Sequence, residues 1–193
     1  MPLTESLRFD WKSLRAAGSA EGVPAAIERL RDAKTSEEAT RAYWRIDNTV
    51  IVQGALYEAA EHTVPCVLSV LSDCTESARP WALELLFQLG AGGTHRVELQ
   101  AGNKDIDERC RAAVKLGVAM YFYYLEHGAP EESGFCADLI ELCARDDEPI
   151  ALRGRWWLKR LIGTTQDERL RGIYQTCLMK IEASLESGCR GED

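Results

Sequence analysis

The sequence predicts an all-α chain built of stacked helical hairpins, and three observations carry that reading. The first is a recurring pair: Asp73 and Arg79 are six residues apart, as are Asp105 and Arg111, and Asp147 and Arg153, while an earlier copy keeps Arg41 but has Thr35 in place of the acid. The second is period. The four Arg residues are separated by 38, 32 and 42 positions, a range that marks stacked two-helix repeats. The third is the local pattern at 73–89, where the polar turn Asp73-Cys74-Thr75-Glu76-Ser77 leads into the apolar run beginning Trp81-Ala82-Leu83. The acid is expected in the turn between two helices and the Arg on the first turn of the second. A charge-assisted fork can then join an Arg to the Asp of its own or the neighbouring turn.

Each element follows from its own signals. Residues 10–17 read as a short helix burying Trp11 and Leu14, with Phe9 beside them, ended by Gly18 and Gly22. Pro24 suits the first position of a second helix, where its missing N–H costs little, with Val23, Ile27 and Leu30 as the apolar stripe. Thr35 and Glu38 form a capping box, opening a third helix whose core face is Ala39, Ala42, Tyr43 and Ile46. In 48–65, Gly54 reads as a helix break and Pro65 as the start or kink of the next helix, with Gln53 and Tyr57 bonded across the turn. A helix at 77–90 tolerates Pro80 in its first turn. Residues 91–103, with Gly92, Gly93 and Gly102, read as a long loop or irregular hairpin. The longest helical run is 105–127, closed by Gly128 and Pro130. Its four consecutive aromatics, Tyr121 to Tyr124, span a full turn, so they cannot all face one core. Residues 131–148 form an acidic amphipathic helix, 151–171 a basic one containing Trp156 and Trp157, and 166–187 a final helix.

The Asp–Arg pattern resembles the HEAT-repeat family, over roughly residues 23–162. The segment with Gln53-Gly54, Tyr57-Glu58-Ala59 and Pro65, together with Phe9-Asp10-Trp11 and Pro24, is similar to a sub-group of small bacterial HEAT-like proteins. The resemblance implies a right-handed α-α superhelix of about four hairpins, a single domain over 1–193 with a frayed tail at 188–193. It also implies a concave protein-binding surface, and for this sub-group the role of an immunity protein that neutralises a toxin.

Composition bounds the function further. Lys and Arg number 23 and Asp and Glu 31, so the net charge is −8, which disfavours nucleic acid and anionic membrane as main partners. It suits a basic protein partner such as a toxin domain. The seven Cys include no Cys-x-x-Cys pair and sit mostly in apolar helical runs, a pattern of free thiols in a reducing compartment. The chain starts without a signal-peptide pattern, and its longest apolar run, 116–125, is too short to span a bilayer. A cytoplasmic protein, monomeric or weakly dimeric, is expected.

Catalytic chemistry is not visible. The three His, at 62, 95 and 127, make no metal-binding spacing with each other or with Cys. No nucleophile elbow or phosphate-binding glycine loop occurs. Catalytic, cofactor and metal residues are therefore expected to be absent. The enzyme alternative is a HEAT-like DNA glycosylase, for which Arg153, Arg155, Trp156, Trp157, Lys159 and Arg160 would supply cations and rings; a second alternative is an interaction scaffold. The expected protein-binding residues are Trp81, Glu84, Tyr121, Tyr123, Tyr124, Trp156, Trp157, Glu131 and Glu132. Aromatic rings anchor interfaces because they bury much area with few rotors, and nearby carboxylates speed encounter with a basic partner.

Overall fold

The structure, a computed structural model, describes residues 3–188. The tail read as frayed lies outside the described residues apart from the backbone of Gly188. Among the described residues there are ten α-helices and five two-residue strands, so the all-α class holds. The chain divides into two compact units, Met1–Leu116 and Gly117–Asp193.

The first unit departs from the expected helix at 10–17. A 3₁₀ turn at Thr4–Arg8 is followed by β1 (Arg15–Ala16) and β2 (Gly18–Ser19), paired antiparallel. Gly18 takes a left-handed φ of 98°, and the Ala17 N–H bonds to the Thr49 carbonyl at 2.9 Å, so the chain turns back where a helix would have continued. Trp11 is buried, its indole N–H donating to the Ser6 carbonyl at 2.8 Å. Helix α1 (Val23–Asp32) carries Pro24 in its first turn. Helix α2 (Ser36–Val50) begins at Thr35, whose hydroxyl accepts from the Glu38 N–H at 3.2 Å while Glu38 accepts from the Lys34 N–H at 2.8 Å. Ala39, Ala42, Tyr43 and Ile46 form its buried face.

Residues 48–65 are the second departure. No helix breaks at Gly54; instead β3 (Ile51–Val52) and β4 (Ala55–Leu56) form a hairpin. Gln53 and Gly54 both have positive φ, 53° and 77°, as a two-residue type I′ turn requires. Pro65 lies inside α3 (Glu58–Leu71), and Tyr57 bonds to His95 rather than across the turn. Helix α4 (Arg79–Ala91) carries Pro80 in its first turn, as expected. The loop expected at 91–103 holds β5 (Gly93–Thr94), parallel to β4, and the short α5 (Arg96–Gln100). Gly92 allows this approach, since a Cβ there would lie 2.7 Å from Leu56 Cδ2. Helix α6 (Ile106–Lys115) packs on α3 and α4, and α1 packs on α2.

The run 105–127 is not one helix. Leu116 N–H bonds back to the Ala113 carbonyl at 3.2 Å, and Gly117 caps the next helix. Glycine is a poor interior helix residue because it leaves more backbone freedom to lose. The division between units falls at this break. The second unit contains α7 (Val118–His127), α8 (Pro130–Ala144), α9 (Glu148–Thr164) and α10 (Glu168–Gly188). Helix α8 packs against α7, α9 and α10, and eleven of its residues are buried, more than an amphipathic surface helix would bury. Gly154 lets α9 come close: a Cβ there would lie 2.9 Å from Ile140 Cγ2.

The recurring Asp residues stand at helix starts or turns, but the bonds described for their Arg partners are not forks to Asp. Arg79 Nη2 donates to the Cys74 carbonyl at 3.1 Å. Arg153 places its guanidinium 4.0 Å from the centre of the Phe122 ring, while Asp147 caps α9 by accepting from the Ile150 N–H at 3.1 Å. Arg111 has a buried Nε without a hydrogen-bond partner among the described residues. Arg111 and Arg153 also lie in the second turn of their helices, not the first. A six-residue offset fits an N-terminal cap plus an inward-facing Arg as well as it fits a ladder.

Candidate functional site

Helix geometry sorts the expected binding residues by burial. On α7, Tyr121 and Phe122 face the core while Tyr123 is 58% exposed and Tyr124 half-buried. Tyr123 packs against the His127 ring one turn on, with centroids 4.9 Å apart, and His127 lies 3.4 Å from the Glu126 carboxylate. The surface here is an aromatic–imidazole pair beside an acid. On α9, Trp156 is 57% exposed and meets the half-buried Trp157 edge-on at 5.0 Å. Arg160 approaches the Trp156 ring at 5.9 Å. Arg153 lies on the exposed side of α9 one turn before Trp156, and its stacking on Phe122 sets that face beside α7.

Acidic residues proposed for the same surface divide. Glu131 is exposed and lines a hollow of about 170 Å³ between α8 and α10, with Phe135, Asp138, Asp167, Arg169 and Ile173. Glu132 is 2% exposed and caps its own helix, accepting from the Ala129 N–H at 3.0 Å. Tyr121 is fully buried, where loss of water pushes its phenol well above its ordinary range. Neither Tyr121 nor Glu132 presents a side chain to a partner. Inside the hollow, burial raises the Asp138 carboxyl above its ordinary value, partly offset by the Cys177 thiol donating at 3.4 Å and by Lys180.

In the first unit, Trp81 and Glu84 belong to a different aromatic group. Tyr43 contacts Trp44 at 5.1 Å and Trp81 at 5.2 Å, and its hydroxyl donates to Glu84 at 3.4 Å. Tyr43 is buried, Trp81 and Glu84 half-buried, and Trp44 half exposed at 50%. Burial first, then the Glu84 charge, raises the Tyr43 phenol far above its ordinary range, so it stays a donor.

Sequence reasoning missed a polar network at the β-hairpin. Glu98 has a fully buried side chain and accepts from Arg15 Nε at 2.9 Å, from the Glu58 N–H at 3.2 Å and from Asn103 Nδ2 at 3.4 Å. Arg109 donates to Glu61 at 2.7 Å and to Asn103 Oδ1 at 2.6 Å. His95 stacks on Tyr57 at 4.3 Å, and its Nδ1 accepts from the Val97 N–H, so the ring proton sits on Nε2, 3.2 Å from the Tyr57 hydroxyl. Apart from the local contacts of Asn103 with Glu98 and Arg109 and of His95 with Val97, the partners are 38 to 83 residues apart, so no local spacing announces them. Every group in the network is bonded to another, which makes it a clamp rather than an open site.

Among the described residues, no group of three or more His, Cys, Asp or Glu could hold a metal ion, and no helix is long and apolar enough to cross a membrane. Comparison with family models, curated proteins and solved structures finds no match.

Proposed function

We propose that this chain is a non-enzymatic protein-binding module that uses exposed aromatic side chains of its second unit. One observation carries the reading. Tyr123 and Trp156 are more than half exposed, although the same helices bury Tyr121, Phe122 and Leu158 without difficulty. Large rings held at a surface by neighbouring side chains are the residues that anchor protein interfaces. Glu126, paired with the His127 that packs on Tyr123, would draw a basic partner. An immunity protein acting on a basic toxin domain, in a cytoplasmic setting, is the form of this function that the HEAT-like resemblance favours. Pairing of α1 with α2, α3 with α4, α7 with α8 and α9 with α10 supports the stacked-hairpin architecture on which that resemblance rests.

The test is co-expression of the chain with a candidate toxin domain. The expected result is a stoichiometric complex and restored growth, both lost when Tyr123 and Trp156 are changed together to Ala. A complex that survives the double change, or turnover of methylated duplex DNA by the isolated chain, would overturn the proposal.

A further inference from the structure

We propose that the hollow between α1 and α2 binds a compact polyanion, a small molecule carrying two or more phosphate or carboxylate groups. The hollow measures about 500 Å³, within the range of small-ligand sites. Arg29 of α1 and Arg41 and Arg45 of α2 line it, and the buried Ala33 and Ala42 form its floor. The depression exists because those two positions carry no more than a methyl group.

The two acids that also line the hollow, Asp32 and Glu38, are already engaged. Asp32 takes a two-point fork from Arg31, with both contacts at 2.7 Å, and Glu38 accepts from the Lys34 N–H at 2.8 Å. Arg41 reaches Glu37 at 3.2 Å on the open surface, a contact of little energetic weight. Among the described residues, neither Arg29 nor Arg45 has a side-chain hydrogen bond or ion pair. Three Arg side chains thus line one concavity of a chain whose net charge is −8. Scattered solvated Arg residues would be the ordinary reading of helix surfaces, but they do not require a concavity. Guanidinium forks match the planar geometry of oxyanions, and one oxyanion cannot satisfy three forks from two helices, hence the two or more anionic groups.

The test is calorimetric titration of the full chain at low ionic strength with pyrophosphate and, separately, citrate. The expected result is one saturable site for at least one of them, weakening as salt is added. Stronger binding of pyrophosphate assigns the site to phosphates, and stronger binding of citrate to carboxylates. Arg29→Gln with Arg45→Gln should lower affinity about tenfold or more with an unchanged melting curve, while Arg29→Lys with Arg45→Lys should retain part of it. No binding of either anion, an affinity unmoved by the Gln pair, or binding of an acidic peptide alone would overturn the proposal.

Discussion

The buried clamp of the first unit predicts an asymmetry between its two charged members. Glu98 is fully buried, whereas the Arg15 side chain is 42% exposed and has a second carboxylate, Glu58, at 3.3 Å. Arg15→Met leaves the Glu98 carboxylate in the interior with only the Glu58 N–H and Asn103 amide as donors. Stranding a buried charge in this way costs about 3–5 kcal/mol. Glu98→Gln keeps the shape and an acceptor, and returns Arg15 to water and to Glu58. Because Arg15 is substantially exposed, solvent screens what it loses, and the cost should be about 1–2 kcal/mol. The double variant should be more stable than Arg15→Met alone, since it removes the stranded charge. Urea unfolding followed by circular dichroism, compared at equal slope, measures all three. If Glu98→Gln is as damaging as Arg15→Met, or if the double variant loses the sum of the two, the clamp reading is wrong.

Further predictions concern packing, ionisation and thiols. Gly154→Ala would bring a Cβ within 2.9 Å of Ile140 and 3.2 Å of Ile181; the overpacking, about 1–3 kcal/mol, should outweigh the gain in helix propensity and lower the melting temperature, and an unchanged melt would refute the close approach of α9. Burial raises the Asp138 carboxyl, with Glu141 adding to the rise and Cys177 and Lys180 opposing it. The folded state therefore holds that proton more tightly than the unfolded state, and this group's contribution is full at acid pH and lost as pH rises from the ordinary value of 3.8 through the folded value. Asp138→Asn should then stabilise the protein at neutral pH and not at acid pH, as measured by urea midpoints at both; equal effects at the two would contradict the assignment. Burial pushes the thiols of Cys66, Cys74 and Cys110 up to about 12, and Cys136, Cys143 and Cys177 are also buried. A thiol reagent should modify at most one of the seven Cys quickly in the native protein and all seven in denaturant; several fast native thiols would show that these helices are not packed as described.

Much of the helical layout was legible because it is written locally. Pro24, Thr35 with Glu38, and Pro80 announce helix starts by chemistry that acts within one turn, and each stands in the first turn or cap of a helix. What failed depends on less local information. Gln53-Gly54 reads as a helix break, yet positive φ at both positions closes a hairpin whose third strand, Gly93–Thr94, lies far along the chain. Leu116-Gly117 breaks a run whose apolar periodicity continues through it. The Asp–Arg repeat was a true signal of helix starts, but the offset alone cannot separate a fork from a cap and a stacked Arg. At the candidate surface, four consecutive aromatics guaranteed that some would leave the core, while helix phase decided that Tyr123 would be exposed and Tyr121 buried. The Arg hollow was not visible at all, because Arg29 and Arg45 become neighbours only when α1 packs on α2.

The most direct test of the protein-binding account is calorimetric titration of a toxin domain that forms the complex on co-expression against the wild-type chain and Tyr123→Ala, with melting curves of both. Removal of an exposed anchor ring should weaken binding by about 2 kcal/mol, roughly thirtyfold, and leave the melting temperature almost unchanged. An unchanged affinity, or a large loss of stability without loss of binding, would contradict the account.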